Sequence, residues 1–191
     1  FGPTAFLGRT LIALEEALRL RGVILSVESM DTLLDINKRE AEDWKPLVAL
    51  FDPTFNDLDE CNAFALVGRD RDGRVVATQA ARLFDWRDTD FKTETQSLRL
   101  FYQDPDKHAL PGETCEVTAI VASAIRGRFV FSGAAWNRPE YRRSGLVQLL
   151  PRISRAYALT KWNPDVVATM MARPLVERGV AARVGYGNLE C

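Results

Sequence analysis

Histidine occurs once in this chain of 191 residues, at His108, and cysteine three times, at Cys61, Cys115 and Cys191. The three cysteines show no paired metal-ligand spacing, and His108 could not complete a zinc site without help from remote positions. The odd cysteine count also argues against a disulfide framework, so the chain reads as a reduced, cytoplasmic protein without a metal. Long apolar runs are missing as well. The stretch from Cys115 to Ile125 is broken by charge or glycine within about a dozen residues, short of the roughly 18 to 20 that span a bilayer, and no membrane partner is expected. Neither sign of charge dominates: Lys+Arg number 25 against Asp+Glu 26, a formal net charge of -1. No global basic field exists to recruit nucleic acid, so any anion site has to be local. The chain begins at Phe1 rather than Met, which leaves a removed targeting segment open.

What is present is ordinary globular material, 47% apolar and 27% charged, enough for one domain over 1–191 with a sizeable core. Leu7, Leu11, Leu14 and Leu18 recur at helical spacing before Gly22, which predicts an N-terminal helix over 4–21. Its leucine stripe covers a sheet or, alternatively, forms a homodimer seam. Val23 to Val27 predicts a strand. Asp31 is placed to cap a second helix carrying Leu33, Leu34, Trp44, Leu47 and Leu50 as far as Asp52-Pro53. Asp72-Gly73 between Ala63–Val67 and Val75–Leu83 predicts a hairpin of two central strands.

Residues 86–111 read as a polar insertion with one short helix around Leu98, Leu100, Phe101 and Tyr102, suited to a lid. Thr118 to Ile125 fits a short helix or a strand equally. Phe129 to Trp136 is a clear strand, followed by a polar corner and a helix marked by Leu146, Leu149, Leu150, Ile153 and Tyr157. Pro151 inside that helix, normally a cost of about 3 kcal/mol, predicts a kink near Val147 or a late start. A further strand over Asp165 to Met171, a helix from Pro174 to Gly185 and a final strand from Tyr186 to Leu189 complete the expected order.

The chemistry concentrates at the corner 137–147. A strand turning into a helix presents consecutive backbone N–H groups at one spot, which suits a phosphate. Gly145 allows close approach to a ligand, and Arg142 and Arg143 add positive charge. A solvated helix start is the plain alternative.

The run Ala134-Ala135-Trp136-Asn137-Arg138-Pro139-Glu140-Tyr141-Arg142-Arg143-Ser144-Gly145-Leu146 resembles the acyl-CoA signature of the GNAT (GCN5-related N-acetyltransferase) superfamily, a strand, a corner, then [QR]xxGx[GA]. Arg142 and Gly145 fill the first two set positions, and Val147 stands where Gly or Ala is usual. Val166 to Met171 and Leu175 to Tyr186, ending Arg183-Val184-Gly185-Tyr186, resemble the family's fifth strand and the helix after it.

The resemblance implies an α/β (α+β) fold: a mixed, mostly antiparallel sheet splayed between strands 4 and 5, with helices on both faces. It implies acetyl-CoA or another acyl-CoA as cofactor, with pantetheine on the backbone around Trp136, namely Ala135 and Asn137. The pyrophosphate would lie on the amides of Arg142, Arg143, Ser144, Gly145, Leu146 and Val147. The implied activity is N-acyl transfer to a small-molecule or peptide amine, with a non-catalytic acyl-CoA sensor or interaction domain as the alternative.

Many members carry a Tyr acid where this chain has Ala181, so Tyr186, Tyr141 or a water is left for that role. No carboxylate lies in either strand flanking the split, which leaves Glu116, with Glu113, as candidate base. Trp136 either walls an acceptor pocket or packs, and His108 is read as exposed. The acidic stretches Asp52 to Glu60 and Asp85 to Asp90 are either a surface for a cationic acceptor or solvated loops.

Overall fold

The computed structural model describes residues 4–189; Cys191 lies outside them. Helix α1, Thr4–Arg19, ends at Arg21-Gly22, where Gly22 takes a positive φ of 73° and Val23 N–H returns to the Leu18 carbonyl. Strand β1, Ile24–Glu28, follows, and Ser29 then caps α2, Met30–Arg39, by accepting the Thr32 N–H. The cap is therefore Ser29 rather than Asp31. The helix also stops at Glu40 instead of running to Asp52. The Asn37 side chain donates to the Lys45 carbonyl and accepts the Leu47 N–H, folding the following loop back on α2 so that Trp44 and Leu47 reach the core without helical periodicity.

The predicted hairpin is present as β2, Ala63–Arg69, and β3, Val75–Trp86, antiparallel and closed by Gly73 at φ 81°. Asp70 seals the turn by accepting the Asp72 and Arg74 N–H groups, and the Arg74 guanidinium beside it helps to hold its carboxyl below the usual range against the opposing effect of desolvation. Beyond β3 the insertion holds two short helices, α3, Phe91–Gln96, and α4, Pro105–His108. The apolar segment 98–102 lies between them as turns rather than as a helix, because Leu98 adopts φ 63° and breaks the run. Leu100 is fully buried there and Tyr102 nearly so, which makes the segment part of the core. The ambiguous region resolves as a 3-10 turn, Ile120–Ala124.

Strand β4, Gly127–Asn137, leads to α5, Leu146–Trp162, and β5, Val166–Ala168. Helix α5 includes Pro151 and starts at Leu146, with neither a late start nor a break. Proline removes the donor to the Val147 carbonyl, and exposed Val147 leaves that carbonyl near water. The expected single helix after β5 is two, α6, Arg173–Glu177, and α7, Val180–Arg183, because Gly179 enters the left-handed region at φ 70° between them. Residues 186–189 form no strand. None of the described helices is long and apolar enough to cross a membrane.

The sheet has five strands in the order β1-β2-β3-β4-β5, antiparallel except for the parallel β4–β5 pair. Each face carries its own core. On one, Leu18 of α1 and Leu146, Leu150 and Ile153 of α5 cover Phe64, Leu66, Val76 and Val130. On the other, Met30 and Leu33 of α2, Leu50, Phe51 and Leu100 cover Ala65, Ala80, Phe129 and Phe131. Alternation along the strands produces this division, with i and i+2 on one face.

Candidate cofactor and transfer site

Two features of β4 shape the site. The strand pairs with β5 only at Phe129↔Val166, Val130↔Val167 and Phe131↔Ala168, so from Ser132 to Asn137 its outer edge has no strand beside it among the described residues. A bulge also interrupts it. The register passes from Ala80↔Gly133 to Thr78↔Trp136, setting Ala134 and Ala135 opposite the single Gln79. Ala134 takes φ 50° there, and the Thr78 hydroxyl holds its carbonyl at 3.0 Å. The extra residue returns Trp136 to the face of Gly133, where its ring stacks on Trp44 with centroids 5.3 Å apart and its indole N–H donates to the Asp43 carbonyl. Trp136 is thus buried packing, while Ala135 beside it is exposed. The Asn137 side-chain oxygen is buried with no partner among the described residues.

The corner that follows is held from several sides. Arg138 pairs with Glu40 and donates to the Val75 carbonyl; the Tyr141 hydroxyl donates to Asp70; the Ser144 N–H and hydroxyl both return to the Tyr141 carbonyl. Burial and the Asp70 charge push the Tyr141 hydroxyl above its usual range. Arg143 at φ 69° and Gly145 at φ 86° both lie in the left-handed region and turn the chain sharply into α5. In consequence the N–H groups of Arg143, Gly145, Leu146 and Val147 have no acceptor among the described residues, whereas those of Arg142 and Ser144 are satisfied by Pro139 and Tyr141. Four free donors at a helix N-terminus, with exposed Arg142 and Arg143 beside them, suit a phosphate.

Arg21, which sequence reasoning missed, braces this turn. Its Nε donates to the Ser144 carbonyl at 2.9 Å, and its guanidinium lies 3.5 Å from where a Cβ of Gly145 would stand. Only tertiary structure joins positions so far apart in sequence.

The candidate acid and base are placed differently. Glu116 is exposed, with no hydrogen bond or ion pair to a described residue. Glu113 is committed elsewhere, since it accepts the Tyr102 hydroxyl and the Leu110 N–H and thereby pins the insertion. Tyr186 lies against α5, its ring under the Arg155 guanidinium at 4.6 Å and its hydroxyl buried without a partner among the described residues; Ala181 is buried in α7. His108 packs edge-on against Phe55. The acidic stretches are largely occupied: Asp52 turns on Thr54, Asp59 on Cys61 and Asn62, Asp85 pairs with Arg87, and Asp90 caps α3 and pairs with Arg126.

No family model matches the chain, and no curated protein matches it. Solved structures do. The predicted acetyltransferase of Clostridium acetobutylicum, crystallised with acetyl-CoA, superposes with a TM-score of 0.50 at 15% identity, covering 88% of this chain and 92% of its own. The aminoglycoside antibiotic 6'-N-acetyltransferase of Acinetobacter baumannii gives 0.52 at 14% identity, over 89% and 94%. An acetyltransferase of Trypanosoma brucei gives 0.50 at 13% identity, over 88% and 95%. With the parallel β4–β5 pair opening after three residue pairs and the glycine corner leading into α5, the fold of this chain is that of the GNAT acetyltransferases.

Proposed function

We propose that the chain is an acyl-CoA-dependent N-acyltransferase, with acetyl-CoA as the first donor to try and a small-molecule or peptide amine as acceptor. The observation that carries this reading is the set of four unpartnered N–H groups at Arg143, Gly145, Leu146 and Val147, adjoining the open edge of β4. These donors fit a pyrophosphate. The open edge around Ala135 and Asn137, where a buried side-chain oxygen lacks a donor, fits the amides of a pantetheine arm.

In the transfer the amine nitrogen attacks the thioester carbonyl, a C–N bond forms, the C–S bond breaks, the ammonium proton leaves and the thiolate takes one up. Neither β4 nor β5 holds a carboxylate, so the ammonium proton departs through water, with Glu116 the free carboxylate on the loop leading into β4. Tyr186 offers the one buried, unsatisfied tyrosine hydroxyl among the described residues as donor to the thiolate.

Thermal unfolding with and without acetyl-CoA tests the cofactor. At about 100 times its dissociation constant the ligand should add about 2.7 kcal/mol, a rise of several degrees in Tm. No rise with acetyl-CoA, longer acyl-CoAs or free CoA would reduce the corner to a helix start. Ala181, at the position where the resemblance implies an acid, favours a second reading, an acyl-CoA-binding domain that does not transfer. Thiol release separates the two. Tyr186→Phe is expected to lower release by about 10² or more with CoA affinity unchanged; full turnover in that variant removes Tyr186 from the chemistry.

A further inference from the structure

Arg82 of β3 is a partly buried guanidinium without a counter-ion. It shares its face of the sheet with Ala80 and Phe84, under Leu50 and Phe51, and no carboxylate of the described residues lies within ion-pair distance of it. Its NH1 donates to the Leu50 carbonyl at 2.9 Å, and its plane sits 4.5 Å from the centroid of the Phe84 ring. The Nε–NH2 edge, which matches a carboxylate with two parallel hydrogen bonds, has no partner among the described residues. None of its nitrogens is a buried atom lacking a partner, so that edge is reachable from solvent. Burial alone pushes the guanidinium down to about 10, as expected where nothing of opposite charge compensates it.

Position gives this edge a purpose. Arg82 is paired with Phe131, and Phe131 with Ala168, the last pair before β4 and β5 part. The guanidinium therefore stems from the strand next to the one that borders the opening, roughly 5 Å from β4 in the sheet. On β4 the next residue of the same face is Gly133, where a Cβ would stand 2.6 Å from the Phe51 ring. The surroundings are aromatic and apolar, with one fixed cation.

We propose that Arg82 binds a carboxylate carried by the acceptor, so that the preferred substrates are amines bearing a carboxylate near the nitrogen, as α-amino acids do. The inference rests on the acyltransferase reading above and deepens it. It runs against a cationic acceptor, because the charge fixed here, the Arg82 guanidinium, is positive.

The test compares L-phenylalanine with L-phenylalaninamide, and glycine with glycinamide, as acceptors of acetyl-CoA, using the wild-type chain, Arg82→Gln and Arg82→Lys. Gln retains a donor for the Leu50 carbonyl, and the Tm of each variant reports its folding. The acid is expected to exceed its amide about tenfold or more in kcat/KM; that ratio should collapse to near one in Arg82→Gln and recover in part in Arg82→Lys. A merely structural Arg82 would lower both acceptors alike and leave the ratio unmoved, which overturns the proposal. A ratio near one in the wild type overturns it as well, while the acetyl-CoA rise in Tm still upholds the cofactor reading. If acetyl-CoA binds but no acceptor turns over, calorimetric titration of the same acids and amides into the CoA complex decides, with acid and amide binding equally counting against it. An Arg82-dependent preference for succinyl-CoA over acetyl-CoA, without an acceptor preference, would assign the carboxylate to the donor instead and overturn the proposal.

Discussion

Gly145→Trp is expected to abolish the rise in Tm produced by acetyl-CoA while leaving a folded protein. At φ 86° and ψ 0° any side chain is strained, so the free variant should lose about 1–2 kcal/mol, an amount that an ordinary domain survives. Its Cβ would meet only the Arg21 guanidinium, at 3.5 Å, the far end of an exposed side chain that can swing aside at the cost of its bond to the Ser144 carbonyl. The indole would then crowd the free N–H groups and take two of them from a phosphate. Each hydrogen bond to a charged phosphate is worth about 1.5–3 kcal/mol, so the loss of two weakens binding by about 10² to 10⁴. Gly145→Ala separates the two causes, since it carries the same backbone strain without the bulk and should keep most of the rise. An undiminished rise in the Trp variant would remove residues 142–147 from the cofactor site.

The parts of this site that were legible in the sequence are those written in local signals. Asp72-Gly73 between two β-prone runs has one good solution, a hairpin, and Gly145 after Arg142 marks a strand-to-helix corner. The bulge at Ala134-Ala135 was not legible, because two alanines give no sign of a positive φ or of one strand outrunning its neighbour. Its effect on Trp136 was hidden for the same reason, as strict alternation from Phe129 would have turned that ring toward α5. The end of helix α2 is not legible because Trp44 and Leu47 are apolar at helical spacing yet reach the core from a loop that Asn37 holds. Gly179 and Leu98 interrupted expected helices through backbone conformations that composition does not announce. Arg21 and Arg82 were invisible for a different reason: the importance of a charge lies in what faces it. Ser144 reaches Arg21 across the fold, and Arg82 stands out only once every neighbouring carboxylate has been assigned a partner.

The insertion, expected as a lid, is built into the core, and Phe129→Ala measures how firmly. Phe129 is fully buried and meets four rings: Trp86, stacked at 4.7 Å, Phe91 at 5.5 Å, Phe84 at 6.2 Å and Phe131 at 6.3 Å. Trp86 ends β3 and Phe91 begins α3, so this one side chain of β4 ties both the sheet and the start of the insertion together. Truncation should cost about 3–5 kcal/mol, a fall of roughly 6–20 °C in Tm for a chain of this size. Phe6→Ala, at a position 56% exposed, should change stability by no more than about 0.5 kcal/mol and controls for the general effect of losing a ring. Because Phe129 is also the first residue of β4 paired with β5, through Val166, the same change should weaken the hinge of the opening and reduce acetyl-CoA affinity in the folded fraction. Thermal unfolding followed by tryptophan fluorescence reads the loss, with Trp86 among the four tryptophans that report it. A cost below about 1 kcal/mol would mean that the rings repack around the gap and that the insertion is anchored elsewhere, by the Tyr102–Glu113 contact.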